Sequence, residues 1–233
     1  MIALVVLLVV SLLLGLAVWA GLRANQADWG GWWVNAIDGL VRRYVRRYHR
    51  QGDAYLHLPA GGVLVAANHV SGLDPLLLIT ASRRPLRFLI AEEEYNRFGL
   101  RWLFRAAGCI PVDRGGRTDA AFRAAVRALK AGEAVALFPH GRIFLDDQPE
   151  SRVKPGVLRL AQLAKVPIVP ARIEGVAGQG SVFTCLFLRG RVTLTDFPVI
   201  DPDHVQGADM RQQLGELLLG RRNHIALPPA SES

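Results

Sequence analysis

A histidine and an aspartate stand five positions apart in the segment NHVSGLDP, at residues 68–75. An imidazole can take a proton from a hydroxyl near neutral pH, and a carboxylate bound to one ring nitrogen leaves the other nitrogen as the base. The same residue types are typical of a turn that leads into a helix, with Asp74 as the cap and Pro75 at the first position. The spacing fits two roles, a turn or a proton-abstracting pair formed by His69 and Asp74, and the rest of the sequence has to decide between them.

The segment lies between two apolar runs, and from residue 62 onward short β-type runs alternate with helical patterns. Strands that are apolar throughout are typical of a sheet covered on both faces, and alternation with helices favours an α/β fold. We predict a mixed, largely parallel sheet flanked by helices, with an N-terminal membrane-anchoring helical segment. The predicted strands are GVLVAA, RFLIA, GCIPV, AVALF, VPIVPARI and RVTLTDF, and the predicted helices are DPLLLITAS, FGLRWLFRAAG, TDAAFRAAVRALKAG, PGVLRLAQLAK and residues 208–219.

Residues 2–20 carry no charge, and the run is about as long as a helix that crosses a ~30 Å hydrocarbon core. A cleaved signal peptide is the competing interpretation, but no basic residue precedes the run and no clear A-x-A site follows it. Arginines follow the run and none precedes it, which predicts that the folded part faces the cytoplasm. We therefore expect the protein at the cell inner membrane, with its catalytic part on the cytoplasmic side.

Residues 32–50 have the pattern of an amphipathic helix, with aromatic and aliphatic side chains on one face and arginines on the other. Such a helix can lie in the lipid headgroup layer, or it can be an ordinary surface helix with solvated arginines. Its position next to the apolar run favours the membrane interface. The predicted basic face consists of Arg42, Arg43, Arg46, Arg47 and Arg50.

The chain is strongly basic, with a formal net charge of +8, and only three of its 28 basic residues are lysines. This charge fits anionic partners in general, including nucleic acid, acidic lipid headgroups and phosphorylated substrates, and does not choose among them. Cys109 and Cys185 have neither metal-ligand spacing nor a C-x-x-C motif. We therefore predict no metal site and no disulfide framework.

Three further motifs follow the histidine segment, each associated with a predicted strand. GCIPVDR brings Arg114 to the end of one strand, and LFPHGRIF places Gly141 and Arg142 in a turn after the next. VPIVPARIEG contains two prolines, and Lys154 precedes it in RVKPG. Taken singly, these residues could be solvated strand ends and edge prolines. In this order and spacing they resemble the glycerolipid acyltransferase family, the 1-acylglycerol-3-phosphate acyltransferases and their relatives, over residues 62–175.

The resemblance implies an enzyme that acylates lipids. The family's N-H-x4-D motif matches Asn68, His69 and Asp74, so His69 would take the proton from the acceptor hydroxyl while Asp74 orients it. The oxygen then attacks an acyl thioester on coenzyme A or acyl carrier protein, and no metal or other cofactor is expected. The expected acceptor is a lysophospholipid, first 1-acyl-sn-glycerol-3-phosphate to give phosphatidic acid, then another lysophospholipid or a lyso-amino-acid lipid. The partners would be membrane lipid, the acyl donor and the acceptor, with no nucleic acid.

The resemblance also implies which residues bind the acceptor's phosphate. The family's G-x-I-P-x-x-R motif assigns this role to Arg114, and its F-P-E-G-R motif matches at Gly141 and Arg142. Lys154 is expected to bind substrate with them. The chain departs from the family at His140, where the family has glutamate. This change bears on the identity of the acceptor rather than on the reaction, because the catalytic pair is intact.

We expect residues 1–50 to form the membrane anchor and interfacial helix, 51–227 the acyltransferase domain and 228–233 a polar tail. Two other classes remain open. A serine or cysteine hydrolase would use Ser71 or Cys109 as its nucleophile, although the chain has no G-x-S-x-G elbow. A non-catalytic basic scaffold, bound to membrane or nucleic acid, would account for the charge and the anchor but would leave His69 and Asp74 without a role.

Overall fold

The computed structural model describes residues 1–113, 115–116, 118–145, 153–205 and 208–225. Its strands are β1 (Val63–Ala67), β2 (Leu86–Ala91), β3 (Ile110–Val112), β4 (Ala134–Leu137), β5 (Ile168–Glu174) and β6 (Thr193–Asp196). Within the described residues they form a six-stranded sheet in the order β3-β2-β4-β1-β5-β6. The pairs among β1 to β5 are parallel, whereas β6 is antiparallel to β5. The predicted mixed, largely parallel sheet is confirmed.

The helices also follow the predicted alternation. They are α1 (Ile2–Ala24), α2 (Trp32–Tyr48), α3 (Asp74–Ala81), α4 (Glu92–Tyr95), α5 (Arg101–Ala106), α6 (Asp119–Lys130), α7 (Gly156–Ala164), α8 (Thr184–Phe187) and α9 (Ala208–Leu218), with a 3₁₀ turn at Pro202–His204. The helix predicted over FGLRWLFRAAG forms only at α5, because Gly99 adopts a φ of 80° and starts the turn that precedes it. The short helices α4 and α8 were not predicted.

The sheet has an apolar core on each face, because successive side chains of a strand point to opposite sides. In β1, Val63, Val65 and Ala67 belong to the core that includes α3, whereas Leu64 and Ala66 belong to the core that includes α6, α7 and α9. All five residues of β1 are fully buried. This arrangement explains the absence of polar alternation in the predicted strands.

The N-terminal helix α1 stands apart from these cores. None of its most apolar window is buried, and that window has a mean hydropathy of 3.0. By length and composition the helix can cross a membrane, although a signal sequence near an N-terminus meets the same criteria. Its C-terminal end packs against α2 at two glycines, where a Cβ on Gly39 would lie 1.7 Å from the carbonyl oxygen of Gly21. Only hydrogen side chains allow the two backbones to approach this closely.

One predicted feature of α2 is wrong. Arg42, expected on the exposed basic face, is only 1% exposed and points into the protein. Its guanidinium binds Asp38 at 2.6 and 3.1 Å and donates to the carbonyl oxygens of Thr80 and Ser82 at 3.0 and 2.8 Å. These bonds replace the hydrogen bonds that the guanidinium would make with water. A charged group can be buried only when its bonds to water are replaced in this way. Of the other predicted arginines, Arg43, Arg47 and Arg50 are exposed and Arg46 is half-buried.

Candidate active site

The candidate site lies where β1 and β4 end side by side. The two strands are adjacent and parallel, so the residues that follow them meet at the same edge of the sheet. The ring of Phe138, directly after β4, stacks on the ring of His69 with centroids 4.1 Å apart. The backbone N–H of Phe144 donates to the carbonyl oxygen of His69 at 2.7 Å. The sheet therefore brings together two motifs that are separated by about 70 residues in the sequence.

His69 and Asp74 form the contact that the sequence predicted. Nδ1 of His69 lies 2.8 Å from Oδ2 of Asp74, whose carboxylate is fully buried. The same carboxylate accepts bonds from the backbone N–H groups of Val70 and Ser71, at 2.6 and 2.9 Å, and from the Ser71 hydroxyl at 2.7 Å. Because Asp74 accepts the Nδ1 proton, Nε2 of His69 carries the lone pair. The His69 side chain is 19% exposed, so a substrate can reach it.

A second set of contacts fixes the turn of residues 68–74 to β5 and to the segment around residue 181. The fully buried amide of Asn68 donates to the carbonyl oxygen of Ile173 at 2.9 Å and accepts from the Ile173 N–H at 2.7 Å, which ties the turn to β5. The N–H of Gly72 donates to the carbonyl oxygen of Ser181 at 3.0 Å. A Cβ on Gly72 would lie 2.1 Å from the carbonyl oxygen of Val182, so no larger residue fits there. These contacts were not predicted from the sequence, because no local pattern in residues 178–182 indicates them.

Two of the expected substrate-binding cations flank the turn after β4. Gly141 has a φ of 74°, and a Cβ added to it would lie 2.5 Å from Nζ of Lys154, so the ammonium rests against this turn. The N–H of Lys154 also donates to the carbonyl oxygen of Pro139 at 2.9 Å. Arg142 is exposed, with its guanidinium 5.8 Å from the ring centroid of Phe144. Arg114 and the predicted polar tail at 228–233 lie outside the described residues.

His140, the residue that departs from the family motif, belongs to the turn after β4. It is 7% exposed, and its ring stacks on Phe144 with centroids 4.8 Å apart. Phe144 in turn bonds the backbone of His69. His140 is therefore linked to His69 through Phe144, so it can influence the shape of the site.

The alternative nucleophiles do not have the geometry of a hydrolase. Ser71 is fully buried, and its hydroxyl donates to Asp74 rather than to His69. Burial raises the pKa of the Cys109 thiol to about 11, so it stays protonated and unreactive near neutral pH. Among the described residues, no group of three or more His, Cys, Asp or Glu side chains could hold a metal ion. These observations favour direct attack by an acceptor over a protein-bound intermediate.

A cavity of about 380 Å³ lies away from this chemistry. Its lining residues precede β1 and β2, at the opposite edge of the sheet from the turn that carries His69. They are Tyr55, Leu56, His57, Leu58, Arg83 and Arg84.

Comparison with known proteins identifies the family. A family model described as Acyltransferase matches residues 47–174, more than half of the chain. A probable 1-acyl-sn-glycerol-3-phosphate acyltransferase from Mycoplasma genitalium is 38% identical over 130 residues, 52% of this chain and 47% of that protein. A 1-acyl-sn-glycerol-3-phosphate acyltransferase from Bacillus subtilis is 26% identical over 154 residues, 64% of this chain and 73% of that protein. An N-acylphosphatidylethanolamine synthase from Arabidopsis thaliana is 30% identical over 122 residues, 48% of this chain and 42% of that protein.

The chain spans about half the length of the Mycoplasma relatives that it matches. Among solved structures, the 1-acyl-sn-glycerophosphate (LPA) acyltransferase PlsC from Thermotoga maritima superposes with a TM-score of 0.60 at 21% identity, over 81% of this chain and 79% of that one. At this identity the likeness shows a shared fold. The family match and the fold agree, and the chain belongs to the acyltransferase family.

Proposed function

We propose that the protein is a membrane-associated O-acyltransferase. It transfers a fatty acyl group from acyl-CoA or acyl carrier protein to the free hydroxyl of a lysophospholipid, with 1-acyl-sn-glycerol-3-phosphate as the first acceptor and phosphatidic acid as the product. The observation that carries the proposal is the 2.8 Å contact between His69 and the buried Asp74, in a chain of the acyltransferase family. The names of the Mycoplasma and Bacillus relatives support the choice of acceptor.

The reaction follows from the tautomer of His69. Nε2 takes the proton from the acceptor hydroxyl while the oxygen attacks the thioester carbonyl, and Asp74 stabilises the imidazolium that forms. When the carbon–sulfur bond breaks, the imidazolium returns the proton to the departing sulfur. The Phe138 ring, stacked on the imidazole, and the bonds to Asp74 hold the imidazole plane while the proton moves. No covalent acyl-protein intermediate is formed.

The acceptor's phosphate is assigned to the cations around the turn after β4. Lys154 and Arg142 supply positive charge there, and guanidinium groups can bind phosphate through two parallel hydrogen bonds. Arg114 is proposed as a third cation on the basis of its motif alone. A phosphate held by these groups would anchor the acceptor while its hydroxyl reaches His69.

Membrane association is supported by α1, which is exposed, apolar and long enough to cross a bilayer. The lysolipid and the acyl chain are themselves poorly soluble in water, so an active site at the membrane surface would meet both substrates. The arginines that follow α1 favour a cytoplasmic location for the folded part, at the cell inner membrane.

A different acceptor is the second candidate, and His140 is the observation that favours it. It replaces the family's glutamate and packs against Phe144, which is bonded to His69. The Arabidopsis relative is named for acylation of a phosphatidylethanolamine, so relatives of this chain differ in their acceptors. Another lysophospholipid or a lyso-amino-acid lipid would keep the same mechanism.

The test is acyl transfer by the full chain, purified in detergent, from labelled acyl-CoA and acyl carrier protein to a panel of lysolipids. His69→Ala should lower the rate by roughly a thousandfold, the range lost when a general base is removed. His57→Ala is a matched control, because His57 also binds an aspartate, Asp196, at 2.8 Å but is 87% exposed and away from the site. It should keep the wild-type rate.

Three results would contradict the proposal. They are the absence of transfer to every acceptor with both donors, full activity in His69→Ala, and a covalent acyl-protein adduct. The rank order within the panel decides between lysophosphatidate and the other acceptors.

A further inference from the structure

Four exposed apolar side chains follow a segment whose backbone is bonded to the turn that carries His69. Val182, Phe183, Phe187 and Leu188 are 43%, 51%, 76% and 42% exposed. We refer to these four residues as the apolar rim. Scattered exposed hydrophobic residues need no explanation, but a cluster of large ones within seven residues marks a surface that is covered by something.

The exposure of the apolar rim is built into the fold. The hydroxyl of Tyr44 donates to the carbonyl oxygen of Leu186, and the hydroxyl of Tyr48 donates to that of Phe187 at 2.6 Å. Cys185, between the exposed residues, is fully buried. These contacts hold the backbone of α8 on α2, so the neighbouring side chains of the apolar rim remain on the surface.

The apolar rim is connected directly to the catalytic turn. The residue before it, Ser181, accepts a hydrogen bond from the N–H of Gly72 at 3.0 Å. Gly180, one position earlier, donates to the carbonyl oxygen of Val70 at 2.8 Å. Both bonds end within the turn between His69 and Asp74. Whatever covers the apolar rim is therefore held beside the active site.

Arginines border the apolar rim. The guanidinium of Arg97 lies 4.7 Å from the ring centroid of Phe183, and Arg189, the residue after Leu188, lies 5.7 Å from the ring centroid of Tyr48. Aromatic and aliphatic side chains flanked by arginines match the bilayer surface, where rings enter the acyl boundary and guanidinium groups bind anionic headgroups. The apolar rim is also attached to α2, which packs against the apolar helix α1. Charge and continuity both favour a lipid surface as the occupant.

We propose that the apolar rim is a bilayer contact separate from α1. The apolar rim inserts into the lipid surface beside His69 and brings a lipid-borne acceptor to the catalytic turn. Its role in presenting the acceptor rests on the proposed function. Its insertion into lipid is independent of catalysis and can be measured without it.

The first test uses a polarity-sensitive fluorophore on the full chain, reconstituted into vesicles of phosphatidylethanolamine and phosphatidylglycerol. The probe is attached to Phe187→Cys, and in a matched control to Leu163→Cys on α7, an apolar residue that is 50% exposed on the other side of the sheet. Unsubstituted protein, treated in parallel, corrects for labelling of Cys109 and Cys185. Lipids with a spin label on the acyl chain should quench the probe at position 187 several-fold more than the probe at position 163.

Equal quenching at both positions, or none at position 187, overturns the proposal. A change at position 187 that depends on protein concentration and not on vesicles also overturns it, and indicates a second copy of the chain as the occupant. These readings need no enzymatic activity, so they are separate from a failure of the proposed function.

The second test links insertion to catalysis. The double variant Phe183→Ser/Phe187→Ser should acylate a vesicle-borne lysolipid about tenfold more slowly, because two rings no longer leave water at the bilayer surface. Its rate with a short-chain, water-soluble acceptor should equal that of the wild type, and Leu163→Ser should change neither rate. An equal loss with both acceptors indicates damage to the catalytic turn and overturns the proposal.

Discussion

Two buried carboxylates in this chain each hold a basic side chain, but only one leaves that side chain open to a substrate. Asp74 is fully buried and binds His69, which is 19% exposed. Asp38 is 4% exposed and binds Arg42, which is 1% exposed and also donates to carbonyl oxygens at the end of α3 and to the Gln26 side chain. The two carboxylates have similar surroundings, and the difference lies in their partners.

On the proposed function, the same kind of pair serves chemistry at His69 and structure at Arg42. The turn that carries His69 lies at a strand end, where one ring nitrogen is bonded and the other can face a ligand. Arg42 lies within α2 and joins it to α3, the helix that Asp74 begins. Its charge is enclosed, so it can only contribute to stability. Substitutions in one pair or its surroundings should therefore change activity and stability separately.

The largest effect is expected for the proposed catalytic pair, His69 and Asp74. In Asp74→Asn, the amide can donate to Nδ1 of His69, which moves the proton to Nε2 and removes the base. We expect kcat to fall by roughly a thousandfold to ten-thousandfold, the upper figure being the loss known for a tautomer-setting carboxylate. KM should change little, because the carboxylate is buried behind His69 and has no exposed surface for a substrate. Steady-state kinetics check this, and a variant with wild-type kcat would remove Asp74 from the mechanism.

The structural pair should show the opposite result. Arg42→Met leaves the Asp38 carboxylate buried without its cation, which should lower the free energy of unfolding by about 3–5 kcal/mol. Denaturant unfolding of the full chain in detergent measures this change. The double variant Asp38→Leu/Arg42→Met should recover most of the loss, since no unpaired charge remains. Activity per folded molecule should stay near the wild-type value, and a thousandfold loss of kcat in either variant would erase the distinction between the two pairs.

The cations of the site should affect binding more than the chemical step. Arg142→Ala is expected to raise the KM for a phosphate-bearing acceptor roughly tenfold, as for the loss of one charge-assisted contact. Arg123→Ala on α6, another exposed arginine, is the control and should leave KM unchanged. An equal rise in KM for an acceptor without phosphate would show that Arg142 does not bind the phosphate.

The smallest effect is expected for His49, whose side chain is not exposed to solvent, and it is an effect on the pH dependence of stability. It is fully buried at the end of α2, where Nε2 lies 2.8 Å from the hydroxyl of Tyr44. Burial lowers its pKa, so the unfolded chain, with an ordinary value of about 6.5, binds a proton more readily. This stabilising contribution is present above about pH 6.5 and is lost as the pH falls through the lowered folded-state pKa.

The pH dependence of unfolding in the wild type and in His49→Gln isolates this contribution. The free energy of unfolding of the wild type should decrease more steeply on acidification than that of the variant. Parallel curves would mean that His49 does not contribute.

Most of the sheet could be predicted because its strands are buried on both faces and therefore appear in the sequence as uninterrupted apolar runs. The bond between His69 and Asp74 could also be predicted, since both residues lie in one short turn. Arg42 was misplaced because a helical wheel sorts residues by type and does not reveal the partners that neutralise a charge. Asp38, one turn earlier in α2, and the carbonyl oxygens at the end of α3 supply them.

The local features of this protein follow from its amino-acid sequence. They include the apolar helix α1, the strands, the turn that carries His69 and the order of motifs typical of the acyltransferase family, because each depends on neighbouring residues. Which turns meet depends on the adjacency of β1 and β4, and which charged side chain is enclosed depends on how the helices pack on one another. The fold also places Gly180 and Ser181 against the turn that carries His69, by backbone hydrogen bonds that any residue type can make. Such contacts leave no pattern in the sequence, so the apolar rim beside His69 emerges only from the folded chain.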